Sequence, residues 1–386
     1  MAGYIMNLDN LESLKTYIYN GVYSTKISPP SKDKWRKEQE ATFADYVTMK
    51  PRDNIYFFIK RKIYGIGELV AINNDCKFLN YPDANKPRKY DYNELKNDLL
   101  WDEGEYSVNQ RWVCIFKPNP YFFKKGIDMD DFLSSNPSKF RMLRAFWKVS
   151  FIKIDDEENQ AFKDVLLRNN QETLATPNKE DIFPSNYSRY HSKIKEKINQ
   201  NINNYNFKIK DILLFCSKGS EIKHEMALEV AILFQLTNKH ENTVNIFGNW
   251  DYLSHQVIAS PFKPIDYMDK MDIFGYSFIS GHFPTISKFL VIEIKKDTAN
   301  EENIEQLLKY VDWVKEEYSY GDYSMINAYL VAHDFNEDVI NYAKKVGVRK
   351  YTIGKRPAKS REWSNLKLVK YLFDSEDCSI KFELIK

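Results

Sequence analysis

Residues 289–292 (Phe-Leu-Val-Ile) form a continuous apolar run that leads straight into Glu293, Ile294, Lys295 and Lys296. A strand buried on both faces requires such a run, and the charges at its end mark where burial stops. Side chains alternate along a strand, so Glu293 and Lys295 point to one face while Ile292 and Ile294 point to the other. Upstream, Asp272 stands in Met-Asp-Ile-Phe-Gly-Tyr (271–276), at the start of another strand-like run. A hairpin or short excursion of the chain would return it beside Glu293. Two converging carboxylates make a hard oxygen site for Mg2+, which keeps several waters and takes one or two protein carboxylates together with phosphate oxygens of a substrate. Lys295 would orient a water or help to deprotonate it. The reaction this set suits is in-line attack of that water on a phosphodiester, with positive charge stabilising the phosphorus oxygens and the leaving oxygen.

An Asp followed by Glu-x-Lys is common by chance, and a solvated strand end explains most such matches, so the next helix decides the weight of this one. In residues 301–317, Ile304, Leu307, Leu308, Val311 and Val314 recur at helical spacing. Gln306 and Tyr310, four apart, share a stripe at the border of that buried face. With Gln306-Leu307-Leu308-Lys309-Tyr310 the sequence resembles the PD-(D/E)XK nuclease superfamily, in its branch that carries a Q-x-x-x-Y motif after the catalytic E-x-K, as in RecB-type nucleases and NucS-like endonucleases. The resemblance spans residues 211–373. It implies that Asp272, Glu293 and the Ile294 carbonyl hold Mg2+, with Mn2+ able to substitute, and that Lys295 is the catalytic lysine. Gln306 and Tyr310 would contact the active site and the DNA backbone. Met271 stands where the family usually has proline. Many such nucleases also place an acid on the helix before the core sheet, and Glu221, Glu225 and Glu229 are spaced by four as on one helical face. Glu225 is the choice among them and Glu229 the reserve.

These residues need elements to hold them. Residues 207–386 alternate helices and strands: a helix near 221–236, strands near 272–279 and 289–295, a helix at 301–317, then strand 326–332, helix 337–346 and strand 349–353. That rhythm is the pattern of a mixed α/β sheet flanked by helices, the restriction-endonuclease-like fold class. Residues 1–172 read as a strand-rich domain, with aromatic and β-branched runs at 54–60 and 111–117. Between them, residues 62–67 (Lys-Ile-Tyr-Gly-Ile-Gly) suit a bend or a close backbone approach better than an uninterrupted central strand. Residues 155–169 fit an amphipathic helix with acids at its start, where the helix dipole favours them. Residues 173–206 are polar and carry Pro177, Pro184 and a Lys-rich stretch at 193–197, which reads as a linker followed by a short basic helix.

In the N-terminal half, Trp35, residues 43–46 (Phe-Ala-Asp-Tyr), 49–53 (Met-Lys-Pro-Arg-Asp), 55–58 (Ile-Tyr-Phe-Phe) and 61–68 follow a pattern similar to PUA-like domains of the EVE and ASCH type. Residues 141–153 and the acidic helix after them look like the end of that domain. The resemblance implies a small β-barrel whose aromatic cage accepts a base flipped out of the duplex, held by stacking and read by edge contacts. Trp35, Tyr56, Tyr64 and Trp112 are the candidate cage residues, with Lys60, Arg61 and Lys62 for phosphate contact. Aromatics alternating on strands usually fill a core instead.

The chain has 386 residues, with 56 Lys and Arg against 54 Asp and Glu, so net charge gives no global signature of nucleic-acid binding. The basic excess peaks at its centre. Cys76, Cys114, Cys216 and Cys378 are widely scattered and form no CxxC pair, so neither a zinc knuckle nor a disulfide framework is suggested and they read as reduced thiols. No apolar run approaches the roughly 20 residues a membrane span needs, and the N-terminus lacks signal-peptide features, so a cytoplasmic location and no membrane partner are expected. DNA is the expected partner. Cutting both strands with one site per chain would require a homodimer or two successive events. The sequence therefore points to a Mg2+-dependent endodeoxyribonuclease of restriction or defence type, with modified or specific DNA recognised by its N-terminal domain. A repair nuclease acting on mismatched or branched DNA is the alternative with the same chemistry. A non-catalytic DNA-binding regulatory protein is the alternative of another class, and the intact Asp272, Glu293 and Lys295 set argues against it.

Overall fold

The computed structural model describes residues 1–27, 30, 34–140, 151–219, 221–260 and 269–385. They divide into two compact units, Met1–Lys208 and Ile209–Lys386.

The first unit is built on strands β1 (Gly3–Asn7), β2 (Val22–Lys26), β3 (Asn54–Ile59), β4 (Lys62–Leu69), β5 (Lys77–Leu79), β6 (Gln110–Pro118), β7 (Ile127–Asp128) and β8 (Phe151–Ile154). Their order is β2-β6-β4-β3-β1-β8, with β5 also on β6 and β7 also on β4. The β1–β3 pair is parallel and its neighbours are antiparallel. Helices α1 (Leu11–Asn20), α2 (Lys37–Val47), α3 (Tyr92–Leu95), α4 (Met129–Ser135), α5 (Asp156–Asn169), α6 (Gln171–Ala175) and α7 (Tyr187–Gln200) complete it. The described residues do not show a closed barrel: among them β2 and β8 end the strand order without pairing to each other. Residues 141–150 of the segment expected to close the domain lie outside the described residues.

Helix α5 forms where the sequence places it. Asp155 caps it by accepting from Glu158 N, Glu158 returns the bond, and Asp156, Glu157 and Glu158 occupy its first turn. Its Phe162, Val165 and Leu166 pack on Ile5, Tyr56, Ile63 and Ile66 of the sheet. Residues 62–67 lie in strand β4, which pairs with β3 and β6 but shifts register opposite Ile55–Phe57, so the ladder is interrupted at Gly65 and Ile66 as the glycines suggest. The glycines serve close approach: a Cβ on Gly65 would meet Leu166 and Tyr56 at 2.8 Å, and one on Gly67 would meet Ile55 and Phe122 at 2.6 Å.

The basic helix expected within 173–206 is α7, whose His191 Nε2 contacts Gly21 O at 2.8 Å, while Lys197 Nζ donates to Asn97 O and Leu99 O. Tyr205 Oη donates to Asp98 O. Ile194 and Ile198 are buried, so a composition rich in Asn and Lys hides a narrow apolar stripe that docks the helix.

The second unit contains α8 (Ile209–Cys216), β9 (Ser217–Lys218), β10 (Glu221–Ile222), α9 (Glu225–Thr237), α10 (Glu241–Phe247), β11 (Tyr252–Ile258), β12 (Lys270–Phe278), β13 (Ile286–Ile294), α11 (Glu301–Glu317), β14 (Ile326–Ala332), α12 (Glu337–Val346), β15 (Arg349–Ile353), β16 (Lys359–Trp363), β17 (Leu366–Asp374) and β18 (Ser379–Leu384). Its mixed sheet runs β11-β12-β13-β14-β17-β18. The first three strands are antiparallel, and β13, β14 and β17 are mutually parallel. This is an α/β unit, as the alternating pattern implies. Strand β15 pairs only with β16, in a separate hairpin, instead of joining the sheet. Helix α9 is buried nearly all round, from Met226 to Leu236, which marks it as an interior helix against the sheet. Helix α11 starts at Asn300, whose side chain accepts from Asn303 N, and buries Ile304, Leu307, Leu308, Tyr310, Val311 and Val314. No described helix is long and apolar enough to cross a membrane.

Candidate active site

Strands β12 and β13 pair Ile273 with Ile292, so Asp272 and Glu293 are the next residues opposite each other. Alternation turns both carboxyls to the same face. Asp272 Oδ2 accepts the backbone N–H of Ile294 at 2.7 Å. Lys295 Nζ donates to Glu293 Oε1 at 2.7 Å, the i,i+2 contact that a shared strand face permits. The three residues read from the sequence thus converge at the end of β13, although that strand is buried and apolar up to Ile292.

Their electrostatics follow from the packing. Burial, then the charges of Glu293 and Glu229, pushes the Asp272 carboxyl well above the usual range. Burial likewise raises Glu293, to about 7, against the opposing pull of Lys295. Burial would lower Lys295, but Glu293 outweighs it and raises the ammonium above the ordinary lysine range. Lys295 therefore holds its proton, which suits a fixed positive charge and a water-orienting group better than a base. Glu293 Oε2 is buried and receives no N–H among the described residues, and its carboxyl lies against that of Asp272. A buried carboxylate beside a second, half-buried one is a costly arrangement that a divalent cation would relieve. The donor set, oxygen only, fits Mg2+ or Mn2+.

Helix α11 brings the remaining pair to the same place. Gln306 Nε2 donates to Tyr310 Oη at 2.7 Å. Burial, then the charge of Glu293, raises the Tyr310 hydroxyl above the usual phenol range, so it stays a donor.

Two glutamates of α9, one turn apart, face this cluster. Glu225, half-buried, accepts from Lys296 N at 3.5 Å, and its charge contributes to the upward shift of Glu293. Glu229 is only 2% exposed, and its charge acts on Asp272. The third member of the expected stripe, Glu221, lies in β10, before the helix begins. The sequence reading missed two residues of β11. Gln256 Nε2 donates to Asp272 Oδ1 at 3.0 Å and to Glu229 Oε2 at 3.4 Å. His255 Nδ1 lies 3.1 Å from Glu229 Oε1. Only the pairing of β11 with β12 reveals them, since Leu-Ser-His-Gln-Val carries no motif.

The N-terminal candidates do not form one cage. Tyr56 is wholly buried, lies with its ring 5.1 Å from that of Phe162 in a tilted contact and donates to Asn159 Oδ1 at 2.7 Å, which makes it core. Tyr64 is buried against Gly126 and near Phe183. Trp35 and Trp112 do approach one another, through Phe43, whose ring is 5.1 Å from one and 4.0 Å from the other. Both indoles are sealed from solvent, and Trp35 Nε1 donates to Asn85 O. The correction has a simple cause: in a small unit, large rings on strands are needed inside it. Lys60, Arg61 and Lys62 are exposed at the β3–β4 turn, where Lys60 and Arg61 both take positive φ, as a two-residue hairpin requires. Arg61 is paired with Asp130 and lies 3.6 Å from Asp128, which reduces its availability to phosphate.

No family model and no curated protein matches the chain. Among solved structures it is similar to an EndoMS complex with double-stranded DNA, at 24% identity over 20% of this chain and 27% of that one, TM-score 0.16. A repair endonuclease from Pyrococcus abyssi is similar at 23% identity over 34% of this chain and 47% of that one, TM-score 0.21. The YTH domain of Zygosaccharomyces rouxii MRB1 protein, in complex with N6-methyladenosine RNA, is similar at 11% identity over 42% and 83%, TM-score 0.25. The chain spans less than half the length of either endonuclease chain. Overlaps this small and TM-scores this low carry no functional argument, which rests on the site's own geometry.

Proposed function

We propose that this protein is a metal-dependent DNA endonuclease that hydrolyses phosphodiester bonds at the Asp272–Glu293–Lys295 site. The observation that carries the reading is the convergence of the Asp272 and buried Glu293 carboxyls at the end of β13, with Lys295 Nζ 2.7 Å from Glu293 Oε1. Asp272, Glu293 and the Ile294 carbonyl would hold Mg2+ or Mn2+, with Glu229 or Glu225 as the acid from α9. When bound, the cation supplies Lewis-acid stabilisation of phosphate oxygens and a lowered pKa for water. Lys295 places a fixed positive charge where negative charge builds up on the phosphate, and the Gln306–Tyr310 pair presents a phenolic donor on the same side. The first unit would select the DNA, with the exposed Lys60 and Lys62 of the β3–β4 turn available for phosphate contact.

The test is digestion of plain, cytosine-modified, mismatched and branched DNA with Mg2+ or Mn2+, and with chelator, by wild type, Glu293→Ala and Lys295→Ala. Cleavage is expected only with the cation. Glu293→Ala should be inactive, and Lys295→Ala slower by about a hundred- to a thousand-fold. The preferred DNA then separates a restriction role from a repair role, and Lys60→Ala with Lys62→Ala should alter DNA binding more than the chemistry of cutting. Equal cutting by Glu293→Ala refutes the site. No cutting of any substrate favours a DNA-binding protein.

A further inference from the structure

Gln256 lies opposite Asp272 in the β11–β12 ladder, between the pairs His255–Ile273 and Val257–Met271. Its φ is 50°, a left-handed conformation that a long side chain rarely adopts and that persists only where the surroundings enforce it. That backbone interrupts the ladder at this one pair. The side chain spans two elements: its amide nitrogen reaches Asp272 Oδ1 at 3.0 Å and Glu229 Oε2 at 3.4 Å. Because Ile294 N holds Asp272 Oδ2, both oxygens of Asp272 are fixed, one from each flanking strand. Glu229 sits between apolar residues of α9, Ala227 and Leu228 before it and Val230 to Phe234 after it.

We propose that Gln256 is a positioning residue that holds Asp272 and Glu229 in register for a divalent cation, by bridging β12 to α9. The inference rests on the metal-dependent reading above. The residue type fits the task. An amide offers two N–H donors and no charge, so it draws two carboxylates together without neutralising the negative potential a cation needs. A lysine here would compete with the cation, and a glutamate would repel both acids.

The decisive measurement is calorimetric titration of Mn2+ into the full chain without DNA, for wild type, Gln256→Gly and Gln256→Asn. Glycine accepts the left-handed backbone and removes the bridge. Asparagine also tolerates that backbone but is one methylene too short to reach both acids. Each variant should bind Mn2+ about tenfold or more weakly, as lost outer-shell partners do. In cleavage assays kcat should fall while KM for DNA stays within twofold. The melting temperature of Gln256→Gly should equal or exceed that of wild type, because backbone strain is released, whereas a merely structural hydrogen bond would lower it. A Kd within twofold of wild type in either folded variant overturns the proposal alone. Absence of Mn2+ binding by wild type overturns the underlying nuclease reading and this proposal with it.

Discussion

Asp272 faces Glu293 across the β12–β13 ladder, one pair beyond Ile273 and Ile292, with both carboxyls on the face that also carries Lys295. A site of this kind stores unfavourable energy in the absence of a counter-ion. Glu293→Gln keeps the acceptor for Lys295 and replaces the other oxygen by an N–H2 that can donate to Asp272. This variant should lose cleavage yet melt higher than wild type in chelator, by a few degrees for each kcal/mol gained. Differential scanning calorimetry in EDTA checks it. A lower melting temperature would show that the pair is not strained.

The Gln306–Tyr310 hydrogen bond offers a second test. Tyr310→Phe preserves volume in the α11 face and removes the hydroxyl beside the carboxylates. Stability should fall by about 1 kcal/mol in urea denaturation. Cleavage should fall by about tenfold, in kcat more than KM, as for outer-shell partners of metal sites.

Tyr56 is assigned to the core. Tyr56→Phe leaves Asn159 Oδ1 without its buried donor, and the cost should be about 1–3 kcal/mol. The preference among DNA substrates should not change. A shifted preference with unchanged stability would restore Tyr56 as a recognition residue.

Lys153, 6% exposed in β8, provides a pH-dependent test in the first unit. Burial lowers its ammonium to about 7, against the attraction of Asp53. Between that value and the ordinary lysine range the unfolded chain binds the extra proton, so stability rises with pH from about 7 towards 10. Burial raises Asp53, which gives the opposite slope, but only above the ordinary aspartate range and from the acid side. Lys153→Met should flatten the alkaline rise in urea midpoints. Asp53 keeps the backbone N–H groups of Ala2 and Lys50, so the fold should survive. A rise that persists in the variant would place its source elsewhere.

What the sequence determined by itself was local. Glu293 and Lys295 share a face because strand side chains repeat every two residues. Gln306 and Tyr310 meet because helix side chains four apart are neighbours, and α5 begins where Asp155 and Glu158 can cap it. Tertiary structure decided whatever depends on burial or on cross-strand register. It buried Glu229 more deeply than Glu225, put Tyr56 into a core, and docked the basic helix α7 through Ile194 and Ile198. It also placed Gln256 beside Asp272, 16 residues away, and beside Glu229, 27 residues away. Periodicity fixes the direction of a side chain from its own element, but not which residue of another element it will meet. That partner is set by the pairing of β11 with β12 and the packing of α9 on the sheet, contacts that no local pattern encodes.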